Sequence, residues 1–241
     1  MFNVEIESYL EKHSYEKFAP KVVLFDMDGV LYNSMPNHVV AWQKSMEQFG
    51  LTMTPDDVYA YEGMRGFDIE KLIAKRLKNV EISDEEAQRR YEVKSNIFET
   101  LPKAQIMDGV FDLMTKIKRD GLTIGIVTGS SQRPLIERLK REFAEFVTPD
   151  HVVTAFDVER GKPYPDPYLQ GLHKAGLQNP WEGIVVENAP LGVRAGVAAN
   201  IFTVAVNSGP LPNSALANEG ANIVFDKMTD LASEWENLVK K

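Results

Sequence analysis

The sequence predicts an α/β fold, a doubly wound parallel sheet into which a set of helices is inserted. Two observations support this class. Short apolar runs rich in β-branched residues alternate with amphipathic helical patterns, an order typical of parallel sheets. The alternation stops between residues 34 and 101, where helical patterns occur without a convincing buried strand. A segment of that length is too long for a loop, so it predicts a separate helical lobe.

Six apolar runs have the length and the flanking turn residues of buried strands. They cover residues 22–25, 122–127, 151–154, 183–186, 201–206 and 222–225. Between them, helices are indicated by apolar residues that recur at i, i+3, i+4 and i+7, which share one helix face. These patterns occur at Val110, Leu113, Met114 and Ile117, at 135–139 and at 231–239.

The inserted segment contains three helical patterns. A third helix begins at Ser83, where Glu86 supplies the acid of a capping box. The predicted domains are an α/β core of residues 1–33 and 102–241 and a helical cap of residues 34–101. The apolar faces of the first two helices are formed by Val39, Trp42, Met46 and Phe49, and by Ile69, Leu72, Ile73 and Leu77.

Composition excludes several classes of protein. The chain has 241 residues, 44% of them apolar and 26% charged, which is ordinary for a globular protein with a substantial core. A net charge of −8 argues against nucleic acid or an anionic membrane surface as a partner. The absence of cysteine excludes disulfides and thiolate metal sites. We find no signal-peptide pattern and no apolar stretch near the ~20 residues that span a bilayer, so we expect a cytoplasmic protein, and a monomer.

Two of the predicted strands end in acidic or amide side chains. Asp26 and Asp28 follow the first strand, at the carboxyl end where open α/β sheets bind ligands. Burying two carboxylates there costs free energy unless a cation neutralises them, so the pair predicts a nucleophile or a metal site, with a solvated acidic turn as the alternative. Glu187 and Asn188 end another strand with oxygen ligands suited to Mg²⁺, or they begin the next helix with an Asx turn.

Two other segments contain groups suited to a phosphate. Thr128, Gly129 and Ser130 offer hydroxyls and backbone N–H groups before a helix, which suit a phosphate and equally a plain helix N-cap. Lys162 lies in a loop stiffened by three prolines and a glycine. It is therefore either a cation held in place or an ordinary surface lysine.

In this order, these motifs resemble those of the haloacid dehalogenase superfamily of phosphotransferases. The likeness spans nearly the whole chain and includes a small helical cap after the first motif. Within the superfamily, two features make the chain similar to the β-phosphoglucomutase-like group. The residues that carry the resemblance are Asp26-Met27-Asp28-Gly29-Val30-Leu31, Thr128, Lys162 and Glu187-Asn188, and for the group Ser34…His38…Trp42 and Gly161-Lys162-Pro163…Pro165-Asp166.

The resemblance implies roles for these side chains. Asp26 would accept a phosphoryl group as an aspartyl-phosphate, and Asp28 would be the general acid and base. His38 would couple cap closure to Asp28, with a purely structural histidine as the alternative. The implied cofactor is Mg²⁺, held by Asp26, Asp28, Glu187 and Asn188, and the implied phosphoryl ligands are Thr128, Gly129 and Lys162.

Three positions depart from the pattern of the group. Asn188 stands where a second acid is usual, so the site has one negative charge less. In the cap loop, Glu62 and Gly66 replace a basic residue and an arginine of sugar-phosphate mutases, and Arg65 is a nearby substitute for the missing cation. Near Ser131, mutases have a further lysine. Glu62 facing a phosphate needs a metal, metal-bound water or a protonated group beside it; a surface charge is the alternative.

The missing cations favour hydrolysis, because a mutase has to retain a bisphosphate intermediate. We expect a Mg²⁺-dependent phosphohydrolase that acts on a small phosphorylated metabolite, with inorganic pyrophosphate favoured by Glu62 and Asn188. A β-phosphoglucomutase and a catalytically weak metabolite-binding protein are the alternatives. The candidate specificity residues are Glu62, His38, Arg65 and Ser130.

Overall fold

The computed structural model describes residues 2–239 and contains one six-stranded sheet. All pairs of neighbouring strands are parallel, in the order β3-β2-β1-β4-β5-β6. This confirms the predicted α/β class. The strands are β1 (Val22–Phe25), β2 (Thr123–Val127), β3 (Val152–Val153), β4 (Gly183–Glu187), β5 (Phe202–Val206) and β6 (Ile223–Phe225).

Helices cover both faces of the sheet and form the inserted lobe. None of them, within residues 2–239, is long and apolar enough to cross a bilayer. They are α1 (Asn3–His13), α2 (Met35–Gln48), α3 (Pro55–Tyr61), α4 (Gly66–Lys78), α5 (Asp84–Glu99), α6 (Val110–Arg119), α7 (Arg133–Glu142), α8 (Asp166–Lys174), α9 (Pro190–Ala198), α10 (Asn213–Ala217) and α11 (Met228–Val239).

The central strand β1 explains where the site lies. All four of its side chains are buried, and they alternate between the two faces of the sheet. Val23 and Phe25 pack in a cluster with α6 and α11, whereas Val22 and Leu24 pack with α8 and α9. Because β1 lies between β2 and β4, the carboxyl ends of these parallel strands meet at one edge, where the direction of the chain's winding reverses.

The helices α2 to α5 form a lobe with an apolar cluster of its own. Ser83 caps α5, its hydroxyl accepting a hydrogen bond from the Glu86 N–H at 3.2 Å, which confirms the predicted start of that helix. The helix α3 was not predicted, although Thr54 and Asp57 form a complete capping box at its start. A helix of seven residues is too short to show an apolar period.

Two further parts of the fold differ from expectation. The third strand is only two residues long, because residues 149–151 form a 3₁₀ turn immediately before it. Residues 3–13, to which we assigned no element, form α1, which is anchored on the sheet by Tyr9. The Tyr9 ring packs edge-on against Phe202 of β5, and its hydroxyl donates to the Asn200 carbonyl at 2.9 Å.

Candidate active site

Lys162 joins the ends of three strands into one cluster. Its Nζ donates to Asp26 Oδ1 at 2.5 Å, to Glu187 Oε1 at 2.6 Å and to the Val127 carbonyl at 3.0 Å. The ammonium group has three hydrogens, and each therefore has an acceptor. The lysine is 3% exposed, so it is a held cation and not a surface lysine.

Asp26 and Glu187 are fixed by this contact. Burial raises the pKa of Asp26 to about 7, against the lowering influence of Lys162, and the nearby acids Glu187 and Asp28 raise it further. Glu187 accepts two more hydrogen bonds, one from the Tyr168 hydroxyl at 2.5 Å and one from the Asn188 N–H at 3.1 Å. Tyr168, on α8, was not singled out in the sequence, because a lone aromatic residue in a helix indicates only a core position.

Thr128 and Ser130 shape the loop after β2. The Thr128 hydroxyl accepts from the Ser130 N–H at 3.0 Å, and the Ser130 hydroxyl accepts from the Gln132 N–H at 3.2 Å. Both side chains are buried beside Asp28 in one small cavity. Since each hydroxyl accepts in these contacts, each retains a hydrogen that it can donate to a bound anion.

Gly129 is where the cap loop touches the core. A Cβ at this position would lie 2.6 Å from the Gly63 carbonyl oxygen, closer than van der Waals contact allows. Only glycine therefore permits the loop that carries Glu62 to rest on the end of β2. The structure consequently represents the lobe closed over the sheet edge.

Asp28 lies between the core and the lobe. The Ser34 hydroxyl donates to Asp28 Oδ1 at 2.6 Å, and His38 Nε2 lies 3.1 Å from the same oxygen. Burial alone would raise the pKa of Asp28, but His38 and Ser34 together lower it below its ordinary value. The contacts of Asp28 with His38 and Ser34 therefore favour its carboxylate form in the free site.

Lys94, on α5, is a buried residue of the candidate site that the sequence analysis missed. It is 2% exposed, and its Nζ lies 2.8 Å from His38 Nδ1. Because lysine only donates, Nδ1 has to accept, which places the hydrogen of a neutral imidazole on Nε2, the atom facing Asp28. Burial lowers the pKa of His38 and Lys94 lowers it further, whereas Asp28 raises it. Most charged residues of an amphipathic helix face solvent, so the sequence alone gives no signal that Lys94 points inward.

Glu62 faces the same cavity as Asp28 and Lys94. Burial raises the pKa of Glu62 to about 8, and Asp28 and Asp26 raise it further, whereas Lys94 lowers it. The cavity is about 30 Å³ in volume. Glu62 is therefore directed at the site and is not a surface charge.

The aromatic ring of Tyr91 takes the space beside Gly66. A Cβ on Gly66 would overlap this ring, so no larger side chain fits at the position where mutases have an arginine. The Tyr91 hydroxyl accepts from Gln132 Nε2 at 3.4 Å, a contact between the lobe and the core. Tyr91 thus closes the far side of the cavity.

Arg65 does not supply the missing cation. Its Nη1 donates to the Glu159 carbonyl, and its Nε donates to Asp68 Oδ2 at 2.8 Å. The guanidinium also lies 4.5 Å from the centre of the Phe67 ring. Our expectation for Arg65 is therefore corrected, because its guanidinium is bound by acceptors in the lobe and in the 159–161 loop. The cation that lines the cavity is Lys94.

The donor set fits a divalent cation. Asn188 Oδ1 is buried without a hydrogen-bond partner among residues 2–239. The four carboxylates and two ammonium groups of the site leave a formal charge of −2. No three His, Cys, Asp or Glu side chains of the described chain form a ready metal cluster. Two of the acids, Asp26 and Glu187, are instead paired with Lys162. The charged residues counted are Asp26, Asp28, Glu62, Glu187, Lys94 and Lys162.

Comparison with known proteins places the chain in a family. Residues 23–206 match the family of haloacid dehalogenase-like hydrolases. Hexitol phosphatase A of Escherichia coli (strain K12) is 33% identical over 201 residues, which cover 78% of this chain and 83% of that protein. The beta-phosphoglucomutase of Bacillus subtilis (strain 168) is 25% identical over 227 residues, which cover 90% of this chain and 96% of that protein.

A solved structure resembles the chain over its full length. A candidate beta-phosphoglucomutase from Bacteroides vulgatus is 45% identical and has a TM-score of 0.94, covering 100% of this chain and 98% of that one. The chain belongs to the haloacid dehalogenase-like hydrolases. It is an enzyme of the phosphatase and phosphotransferase kind, and the resemblance to β-phosphoglucomutase-like proteins is confirmed.

Proposed function

We propose that the protein is a Mg²⁺-dependent phosphohydrolase that uses Asp26 as nucleophile and takes inorganic pyrophosphate as its substrate. The observation that carries the proposal is the small cavity of about 30 Å³, in which Glu62 and Lys94 of the lobe face Asp28 and Thr128 of the core. A water molecule needs roughly 10–15 Å³ measured in this way, so the cavity holds about two water molecules, and any substrate requires the lobe to open. Pyrophosphate, which is more compact than a six-carbon sugar phosphate, requires the smaller opening.

The reaction is two in-line displacements. A carboxylate oxygen of Asp26 bonds to phosphorus while the bond to the leaving phosphate breaks, and Asp28 takes the proton of the bound hydrogen pyrophosphate and passes it to the leaving oxygen. Asp28 then takes a proton from water as the water oxygen attacks the aspartyl-phosphate, which releases the second phosphate and restores Asp26. Asp28 finally releases that proton to solvent. Lys162 and the Thr128 hydroxyl neutralise the non-bridging oxygens, and Lys94 faces the leaving phosphate.

Mg²⁺ is part of this proposal because the residues present fit it. Asp26, Asp28, Glu187 and the unpartnered Oδ1 of Asn188 would hold the ion, which supplies charge neutralisation for an anionic substrate. The raised pKa of Asp26 indicates that Lys162 alone does not compensate its burial. Glu62 would then face the ion and its ligands, where its charge is favourable.

A sugar-phosphate phosphatase is the second candidate. The relatives named above include a hexitol phosphatase. In addition, a cavity of about 340 Å³ on the hinge side of the lobe shares Gln132 with the small cavity. Displacement of Gln132 from Tyr91 would join the two spaces and admit a polyol.

A substrate comparison tests the proposal. Purified protein with Mg²⁺ is assayed on pyrophosphate, on hexose and hexitol phosphates, and on β-glucose 1-phosphate with its bisphosphate activator. We expect the highest kcat/KM on pyrophosphate, with loss of activity in EDTA and in Asp26→Asn. Preferred cleavage of a hexitol phosphate would establish the second candidate instead. Rapid interconversion of glucose phosphates would assign a mutase, and no turnover of any phosphate would indicate a metabolite-binding protein.

A further inference from the structure

Asn188, directly after β4, is the one amide among the side chains proposed to hold Mg²⁺. The two oxygens of a carboxylate are equivalent, so either of them can face a cation. An amide has one oxygen and one NH₂ group, and only the oxygen can bind a cation. The direction of this amide therefore decides whether the site has a metal ligand or a hydrogen-bond donor at this position.

The hydroxyl of Ser208, in the loop after β5, distinguishes the two ends of the amide. Its Oγ donates to the Gly29 carbonyl at 2.7 Å and accepts from Asn188 Nδ2 at 3.4 Å. A hydroxyl has one hydrogen, so a hydroxyl that gives this hydrogen to Gly29 can only accept from the amide. The reversed amide would set Oδ1 against an oxygen that has no hydrogen to give. The NH₂ group is therefore the end that faces Ser208.

Gly29, in the turn after β1, makes room for this arrangement. Its φ of +80° lies in the left-handed region that favours glycine. A Cβ at this position would overlap Nδ2 of Asn188, so a larger residue would displace the amide. The turn thus leaves space for the amide, and its carbonyl fixes the hydroxyl that orients it.

The oxygen end of the amide has no protein partner. Asn188 Oδ1 is buried and accepts no hydrogen bond within residues 2–239. A buried acceptor without a partner costs about 1–3 kcal/mol, which a ligand on this oxygen would recover. The backbone N–H of Asn188 donates to Glu187 Oε2 at 3.1 Å, and its NH₂ group donates to Ser208. The side-chain oxygen is therefore the group left for a ligand.

We propose that Ser208 is a positioning residue that fixes the amide of Asn188 so that Oδ1 is the end that binds the cation. The inference rests on the proposed function in one respect, that Mg²⁺ binds beside Asn188. It does not depend on which phosphorylated compound is the substrate. A residue that orients a metal ligand contributes to the affinity for the ion without contacting it.

Cation binding without substrate tests the proposal in the full chain. Mn²⁺ takes the same oxygen ligands as Mg²⁺, so its unbound fraction is measured by EPR, and Mg²⁺ is measured by competition. In Ser208→Ala we expect both dissociation constants to rise about tenfold, the lower end of the range for residues that orient metal ligands. Ser214→Ala removes an exposed hydroxyl on α10 and should leave binding unchanged. Wild-type dissociation constants in Ser208→Ala would overturn the proposal.

A second background separates orientation from a purely structural role. Ser208 also links the loop after β5 to the turn after β1, and Ser208→Ala breaks this link in any background. In Asn188→Asp the side chain presents an oxygen in either direction. Adding Ser208→Ala to that variant should therefore leave its dissociation constants unchanged. An equal rise in both backgrounds would show that Ser208 only holds the loop, and the proposal would fail.

These outcomes are independent of the proposed substrate. Cation binding that depends on Ser208 only when residue 188 is asparagine supports the inference, even if pyrophosphate is not hydrolysed and the proposed function fails. If wild type binds neither Mn²⁺ nor Mg²⁺, the inference fails, whatever the substrate comparison shows.

Discussion

Two buried lysines, Lys162 in the core and Lys94 in the lobe, are held in opposite ways. Lys162 meets two carboxylates and a carbonyl within hydrogen-bond distance, and these acids raise its pKa above the ordinary value although burial lowers it. Lys94 meets one imidazole nitrogen and three aromatic rings, and burial lowers its pKa to about 8. One cation is satisfied before any ligand arrives, and the other is not.

The difference indicates that the core and the lobe contribute to ligand binding in different ways. The core supplies a fixed electrostatic frame, because the ends of parallel strands cannot shift without breaking the sheet. The lobe supplies groups whose partners come partly from the ligand. Closing the lobe over an anion therefore lowers the free energy more than closing it over water. Binding energy from the lobe is thus coupled to the presence of the substrate.

Replacing each lysine by methionine should separate the two roles, with the largest effect at Lys162. Lys162→Met leaves Asp26 and Glu187 buried side by side without a counter-ion. Breaking a buried ion pair in this way costs about 3–5 kcal/mol, so we expect a loss of that size in urea unfolding together with loss of activity.

Lys94→Met is the matched variant. It removes a buried cation that has no carboxylate within hydrogen-bond distance in the described chain, so the free energy of unfolding should change little or rise. We expect its kcat/KM to fall about 10- to 100-fold, the cost of about 1.4–3 kcal/mol of lost attraction for the anion. Equal destabilisation by both variants would contradict the distinction between a satisfied and an unsatisfied lysine.

The pH dependence of stability should reveal an unsatisfied acid of the lobe, Glu70 on α4, whose carboxylate is buried without a hydrogen-bond partner among residues 2–239. Burial raises the pKa of Glu70 from 4.5 to about 7, so the folded state binds its proton more tightly than the unfolded state does. The stabilisation from this proton is complete below about pH 4.5 and is lost as the pH rises to about 7. Glu70→Gln should abolish up to about 3 kcal/mol of that decline.

Urea unfolding at a series of pH values measures this effect. The difference in unfolding free energy between Glu70→Gln and wild type should grow from about pH 4.5 to about pH 7 and then level off. Glu62 contributes in the same direction, because its pKa is also raised, but it is common to both proteins and cancels. A constant difference across this range would show that Glu70 keeps an ordinary pKa in the folded chain.

The sequence was most informative where function and fold impose the same pattern. The apolar run of β1, followed by Asp26 and Asp28, predicted both the central strand and the carboxylates at its end. This was possible because a buried strand and a site at a sheet edge each have a local sequence pattern. Thr128, Lys162 and Glu187 follow strands in the same way, and the structure gathers them around β1.

The lobe was less predictable for a physical reason. Lys94 and Glu70 lie on amphipathic helices in which most charged residues face solvent, and the helical period alone does not mark the exceptions. Arg65 is the opposite case. Its position in the sequence predicted a side chain near the site, but an acceptor in the 159–161 loop determines where that side chain points. The direction of a side chain between the lobe and the sheet depends on tertiary contacts, which the local sequence does not specify.

The smallest effect should come from that side chain. Arg65 joins the cap loop to the 159–161 loop of the core, which leads into Lys162, and packs over Gly161. Its contacts are partly exposed, so Arg65→Ala should lower kcat/KM only a few-fold, the equivalent of about 1 kcal/mol, by loosening closure while kcat stays near wild type.

The matched variant for Arg65 is Arg160→Ala. Arg160 lies on the same loop but pairs with Asp166 and packs over Tyr164, within the core. It should leave kcat/KM unchanged, because it does not connect the two regions. If both variants lower kcat/KM equally, the loop itself and not its contact with the lobe controls the reaction. If only Arg65→Ala does, closure of the lobe is measurable through a side chain that never meets the substrate.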